Sequence, residues 1–200
     1  MRDEIQFGYN TSDDLPASAV LAVGYGQCNT KSTLLIALLR AVRIPTRFHG
    51  ATIHMRLQRG VVNGLFYRVA PAGIVHSWAE VYFDGRWVAL EGVILDQPYL
   101  AGLRARFPEQ QTGFLGYGAG TDNLADPPIQ WCGTDTAIQA TGINHDHGSF
   151  DDPDSFYRRH GTNLSGLRST PLGAPHDEPQ RQHDPRAGPG VEPIRAFQLH

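Results

Sequence analysis

Gly24-Tyr25-Gly26-Gln27-Cys28-Asn29-Thr30-Lys31 is the stretch around which this chain is organised. Its glycines bring a tight turn up to Cys28. Behind it, Leu34, Leu35, Leu38, Ala41 and Val42 recur at helical spacing until Ile44-Pro45 ends the run. The spacing predicts a buried helix with Cys28 in its first turn. A thiol in that position lies at the positive end of the helix dipole, beside backbone N–H groups that have no intrahelical partner. Both favour the thiolate, which is the nucleophilic form. A lone cysteine is otherwise a small buried hydrophobe, so a catalytic role for Cys28 requires a base.

The base is sought in the runs Val75-His76-Ser77-Trp78-Ala79-Glu80-Val81-Tyr82-Phe83 and Arg86-Trp87-Val88-Ala89-Leu90-Glu91, joined by Asp84-Gly85. Alternating aromatic and β-branched residues on either side of Asp-Gly predict a two-residue hairpin. Phe83 then pairs with Arg86, His76 lies opposite Val93, and Trp78 lies opposite Glu91. Facing residues share a side of the sheet, so His76 and Glu91 are expected as diagonal neighbours on one face. A one-residue slip would separate them. Cys28, His76 and Glu91 are thus candidates for a thiol–imidazole–carboxylate triad, in which the imidazole takes the thiol proton and the carboxylate orients the imidazole.

On the N-terminal side, Arg2-Asp3-Glu4-Ile5-Gln6-Phe7 reads as the last turns of a helix whose start is missing, which suggests a shortened N-terminus. Asp13-Asp14-Leu15-Pro16 opens a short helix over Ala17 to Ala22. After the Cys28 helix, Thr46 to Ile53 is expected as a strand and Arg56 to Gly64 as an exposed loop. Beyond the hairpin, Asp96-Gln97-Pro98 begins a helix through Leu100, Leu103 and Phe107, stopped by Pro108. Gln110 to Gly148 is glycine-rich and irregular, with Trp131 and Ile138 as core anchors. Asp152-Pro153 caps a helix to Arg159, with Gly161 past its end.

From Ser169 the chain changes character: six of its 14 prolines fall in residues 169–200, with no apolar periodicity. Such a segment cannot bury enough surface to offset its ordering entropy, so it is expected to be disordered. The organisation expected is a single domain over 1–168 followed by that tail.

A net charge of −3 over 200 residues gives no electrostatic case for nucleic acid or an anionic membrane. No apolar stretch is long enough to span a bilayer, and Met1-Arg2-Asp3-Glu4 is not a signal peptide. Two cysteines do not make a disulfide scaffold, so a cytoplasmic location is expected. His145-Asp146-His147, Cys132 and His160 match no strong zinc spacing, so neither a metal nor a cofactor is expected. Gly116-Tyr117-Gly118-Ala119-Gly120 lacks the Lys-Ser/Thr of a phosphate loop and reads as a flexible wall. Arg158-Arg159 suits the negative end of a helix.

Gly-Tyr-Gly-Gln-Cys at 24–28, Ala-Leu-Leu-Arg-Ala-Val-Arg-Ile-Pro-Thr-Arg at 37–47, His-Ser-Trp-Ala-Glu-Val-Tyr at 76–82 and Gly-Arg-Trp-Val at 85–88 together resemble the transglutaminase-like superfamily. The resemblance covers about Arg2 to Ile94. It implies an α+β, papain-like fold with the catalytic helix on an antiparallel sheet, Cys28 as nucleophile and His76 as base. Family members usually carry aspartate where this chain has Glu91, one methylene longer. The implied activity is thiol-dependent acyl transfer on peptide, protein or small amide substrates. A cysteine peptidase or amidase is favoured over a transamidase; a binding module that keeps the fold without activity is the alternative. For the oxyanion hole the backbone N–H of Cys28 is the natural first donor. Tyr9, Tyr25 and Gln27 are candidates for the second, and Trp78 could border the acyl site.

Overall fold

The computed structural model describes residues 1–60, 73–110 and 112–163. In chain order its strands are β1 (Gln6–Phe7), β2 (Tyr25–Gly26), β3 (Thr46–His54), β4 (Gly73–Phe83), β5 (Arg86–Ala89), β6 (Thr112–Gly116), β7 (Ala119–Asn123) and β8 (Ile143–Phe150). The α-helices are α1 (Ala17–Val23), α2 (Cys28–Ala41), α3 (Gln97–Arg106) and α4 (Pro153–His160). The class is α+β. A four-stranded antiparallel sheet runs in the order β5-β4-β3-β8, beside a parallel β1-β2 pair and a β6-β7 hairpin.

The β4–β5 turn explains the sheet's register. Asp84 and Gly85 both have positive φ, 47° and 80°, as a type I′ turn requires. Phe83 therefore faces Arg86, and Tyr82, Val81 and Glu80 face Trp87, Val88 and Ala89. Phe48, Ala79, Val81 and Val88 form one apolar cluster with Leu35 and Ile36 of α2 and Phe156 and Tyr157 of α4. Each fully buried side chain of this kind contributes about 1.5–3 kcal/mol. A second cluster joins Phe7, Cys28, Ile94, Leu95, Leu100, Leu103, Phe114 and Ile138. Cys28 sits where α2 leaves the first cluster and meets the second.

Helices α3 and α4 start as their sequences require: Asp96 accepts from Tyr99 N at 2.9 Å, and Asp152 from Ser155 N at 2.7 Å. Other elements differ from the sequence reading. Arg2–Phe7 does not end a helix. Ile5 and Phe7 are buried and Gln6 is exposed, a strand alternation, and Gln6–Phe7 pairs in parallel with Tyr25–Gly26. The fully buried Lys31 fixes the segment by donating to the carbonyls of Arg2, Ile5 and Ile94 at 3.1, 2.7 and 2.9 Å. Asp13 does not cap α1; its carboxylate takes Gln27 Nε2 and Asn163 N. Leu38, Ala41 and Val42 follow the helical period but are exposed.

Met55–Gln58 is a 3-10 turn with Leu57 and Gln58 buried, not an exposed loop; positions 61–64 of that stretch lie outside the described residues. Part of the irregular region expected from Gln110 folds into β6, β7 and the start of β8. Gly116–Gly120 is a hairpin turn rather than a flexible wall, fastened by Gly118 N to Leu57 O at 2.8 Å and Gly120 N to Ile138 O at 2.7 Å. Ile138 is core, but Trp131 is exposed and meets Phe83 edge-on at 5.1 Å. Residues 169–200 lie outside the described residues. No helix among the described residues is long and apolar enough to cross a membrane.

Candidate active site

Cys28 is the first residue of α2 and is buried. The approach to it is tight: a Cβ on Gly26 would lie 2.6 Å from Thr30 Oγ1, so only glycine lets β2 run into the helix so closely. The helix start is closed by Gln27 N donating to Thr30 Oγ1 at 3.2 Å. The Cys28 thiol donates to Asn29 Oδ1 at 3.6 Å.

His76 lies on β4 and is completely buried. Its Nε2 is 3.0 Å from Glu91 Oε1. A carboxylate only accepts, so Nε2 carries the proton and Nδ1 is the basic nitrogen of the neutral ring. Nδ1 makes no hydrogen bond of regular geometry among the described residues; it is the nitrogen left to Cys28. Burial disfavours the imidazolium. Charge and hydrogen-bond interactions with Cys28, followed by those with Glu91, overcome that cost and raise the pKa of His76 to about 9.

Glu91 reaches His76 by a route the hairpin pattern does not contain. The β4–β5 ladder stops at Glu80–Ala89, so the expected pairs Trp78–Glu91 and His76–Val93 do not form. Instead Glu91–Val93 is a 3-10 turn. The 129–136 segment draws the chain out of the ladder: Thr136 N donates to Ala89 O at 2.9 Å, and Gly92 N to Thr136 Oγ1 at 3.0 Å. A Cβ on Gly92 would lie 2.8 Å from Ile129 Cα; glycine makes that approach possible. The buried Glu91 carboxylate also accepts from Ile138 N at 2.7 Å and from Gln139 N at 3.2 Å. With the His76 N–H, three donors converge on it. Sequence reasoning picked Ile138 as core but missed these backbone donors, since no side-chain signal marks them.

The remaining candidates occupy distinct positions. Gln27 is engaged inward, accepting from Asn10 N at 2.8 Å and donating to Asp13 at 3.1 Å. The Tyr25 hydroxyl is buried without a hydrogen-bond partner among the described residues. Tyr9 donates to Gln58 Oε1. Burial, then the proximity of Cys28, pushes its phenol well above the ordinary range. Gln58, buried and within this group, was not singled out from sequence. Trp78 lies 5.5 Å from the His76 ring and stacks on His49 at 4.2 Å. Asn29 and Ser77, the neighbours of Cys28 and His76, were also missed. Their signal was two polar residues in segments otherwise read as buried.

His145, His147 and His160 approach one another, with ring centroids 4.5 and 4.1 Å apart along the series. Among the described residues no group of three or more His, Cys, Asp and Glu side chains is arranged to hold a metal ion, and Cys132 is exposed.

No curated protein and no solved structure matches the chain. The family model of the transglutaminase-like superfamily does match it, over residues 1–92. That span, a little under half of the chain, carries Cys28, His76 and Glu91, and it is similar to the transglutaminase-like superfamily.

Proposed function

We propose that the protein is a papain-like, thiol-dependent acyl-transfer enzyme acting on amide bonds, with α2 as the catalytic helix, and that water is the final acceptor. The observation that carries this reading is the pairing of His76 with Glu91 through Nε2, which leaves Nδ1 to the thiol at the start of α2. His76 Nδ1 takes the Cys28 proton, and the thiolate attacks the amide carbonyl. The Cys28 N–H, at the open end of the helix, stabilises the oxyanion. The imidazolium then protonates the leaving amine, so the C–N bond breaks and a thioester on Cys28 remains. Water, deprotonated by His76, attacks the thioester; the acid leaves and the thiol is restored. Glu91 keeps the ring in the productive tautomer and stabilises the imidazolium. Water is the acceptor chosen because it needs no binding site of its own.

The test is amine release across a library of peptides and small amides, with and without an added primary amine. Cys28-dependent release without the added amine is the expected result. Release unchanged in Cys28→Ala would overturn the reading. Incorporation of the added amine, with no hydrolysis, would make the protein a transamidase. Selective alkylation of Cys28 over the exposed Cys132 at mildly acidic pH is the matching chemical signature.

A further inference from the structure

We infer that Asn29 is a positioning residue for this site: its side chain binds the β4 backbone at Val75 and the Ser77 hydroxyl, on either side of His76, and so sets the geometry between His76 and Cys28. The inference rests on the reading of Cys28 and His76 as the reacting pair. Asn29 directly follows Cys28, in the first turn of α2, and is fully buried. Its Nδ2 donates to Val75 O at 3.2 Å, and its Oδ1 accepts from Ser77 Oγ at 2.9 Å and from the Cys28 thiol at 3.6 Å. Val75 and Ser77 are the residues before and after His76.

The amide orientation is determined by its partners. Val75 O can only accept, so the NH2 must face it, and the oxygen is left for Ser77 and Cys28. One planar group therefore touches the strand at 75 and 77 and the nucleophile at 28. One helical turn on, Ser32 Oγ donates to Ser77 O at 3.1 Å. Residues 29 and 32 share a helix face, so α2 is fastened to β4 at two points. Asn163 holds the same residue as well, with Nδ2 donating to Val75 O at 2.9 Å and Oδ1 accepting from Val75 N at 2.6 Å. The strand position is thus fixed without Asn29. The contribution specific to Asn29 is the link from that strand to the thiol.

The step affected is proton transfer from Cys28 to His76, which depends steeply on the separation and alignment of the two groups. An isosteric aspartate sharpens the distinction. It would face Val75 O with a second acceptor and place a negative charge beside the developing thiolate. A residue that merely fills space would be replaced by it with little change in the pair.

The experiment is the pH dependence of Cys28 alkylation by iodoacetamide, read site by site by mass spectrometry, with Cys132 as internal reference. It is run on wild type, Asn29→Ala, Asn29→Asp and Ser77→Ala, with melting temperatures measured in parallel. The wild-type profile should have its midpoint below about 8.5, the free-thiol value. In Asn29→Ala the rate at pH 6 should fall roughly tenfold as the midpoint moves towards the free value. Asn29→Asp should fall further, and Ser77→Ala by no more than about threefold, because it removes a single hydrogen bond. A lower melting temperature with an unchanged midpoint in Asn29→Asp and Ser77→Ala would overturn the inference while leaving Cys28 as the nucleophile. A wild-type midpoint at or above the free-thiol value would overturn the underlying reading itself. Should Asn29→Ala fail to fold, Asn29→Asp and Ser77→Ala decide the matter.

Discussion

Two histidines on the same face of the sheet use carboxylates in opposite ways. His49 on β3 stands opposite Trp78 on β4, and the indole stacks on its ring at 4.2 Å while lying 5.5 Å from His76. Both rings bond to acidic partners and both have raised pKa values. For His49, burial opposes the charge and hydrogen bonds from Glu80 and Asp146 outweigh it. Its two nitrogens are both committed: Nδ1 to Glu80 at 3.0 Å and Nε2 to Asp146 at 2.7 Å. Glu80 is paired in addition with Arg47 and receives Ser149 Oγ at 3.1 Å. An imidazolium held this way has no acceptor left that would make losing its proton useful. His76 has one carboxylate, complete burial and an Nδ1 with no hydrogen-bond partner among the described residues, and Cys28 is near enough to raise its pKa. The comparison teaches that the carboxylate sets the charge on a histidine, while an open nitrogen facing a nucleophile gives it chemistry.

The strongest way to break that comparison is to exchange the ring in each place. His76→Gln removes the base beside Cys28 and should lower amide turnover on the order of 10⁴- to 10⁶-fold, as loss of a triad member does. Alkylation of Cys28 at pH 6 should fall with it. Retained turnover would mean that another group serves the thiol.

Glu91 comes next. Glu91→Gln keeps the shape but removes the charge that stabilises the imidazolium, which should reduce turnover roughly 10- to 1000-fold. Its effect on stability is larger than a partly exposed strand carboxylate would give. The side chain is buried and receives Ile138 N, Gln139 N and His76. An amide turns an NH2 towards one of these donors, so a loss of about 1–3 kcal/mol is expected in chemical denaturation. Glu91→Asp tests the extra methylene. The carboxylate is anchored at 138–139, so a shorter arm cannot hold both ends, and activity should fall rather than rise.

The pH dependence of stability tests the charge on His76. A folded-state pKa raised above the unfolded value of about 6.5 gives stability that is complete below that value and is lost as pH rises through the folded pKa. For His76 the loss runs from about 6.5 to about 9. Lys31 acts with the other sign. Burial lowers its pKa to about 8, so it adds stability as pH climbs from there to the unfolded value. The difference between wild type and His76→Gln isolates the histidine: the melting temperature of wild type should fall more between pH 6.5 and 9, by a few degrees, since about 1 kcal/mol moves a domain of this size by roughly 2–4 °C. Parallel curves would show that His76 is not charged in the folded protein.

The parts of the site that sequence makes legible are those encoded by local pattern. The apolar period behind Cys28 places it at a helix start, and the Asp84-Gly85 turn, with positive φ at both residues, enforces the Phe83–Arg86 register. The pairing of His76 with Glu91 was anticipated for a reason that holds only as far as Ala89. Beyond it the carboxylate arrives through a turn shaped by residues 129–136. That segment is remote in sequence and acts through backbone groups, which leave no trace in residue type. The N-terminal strand was misread because its pairing partner, β2, lies across a helix from it. Lys31, a charged residue in the first turns of α2, is buried because three carbonyls receive it.

The smallest effect on activity is expected for His49→Gln, and it is the most pointed test of the comparison. The substitution removes the charge between Glu80 and Asp146; Glu80 keeps Arg47, and Asp146 keeps the Gly148 N–H. Loss of these partly buried hydrogen bonds should cost about 1–2 kcal/mol of stability. The stack on Trp78 loses its aromatic partner, and Trp78 lies against both rings. If Trp78 is held chiefly by burial within the sheet, the His76–Glu91 bond keeps its geometry, and turnover should stay within about threefold of wild type, the scale of a lost surface contact. The midpoint of Cys28 alkylation should not move. A loss of activity approaching that of Glu91→Gln would mean that the His49 cluster supports His76 through the indole. The two histidines would then be one connected device, and the contrast between a committed ring and an open one would no longer separate structure from chemistry.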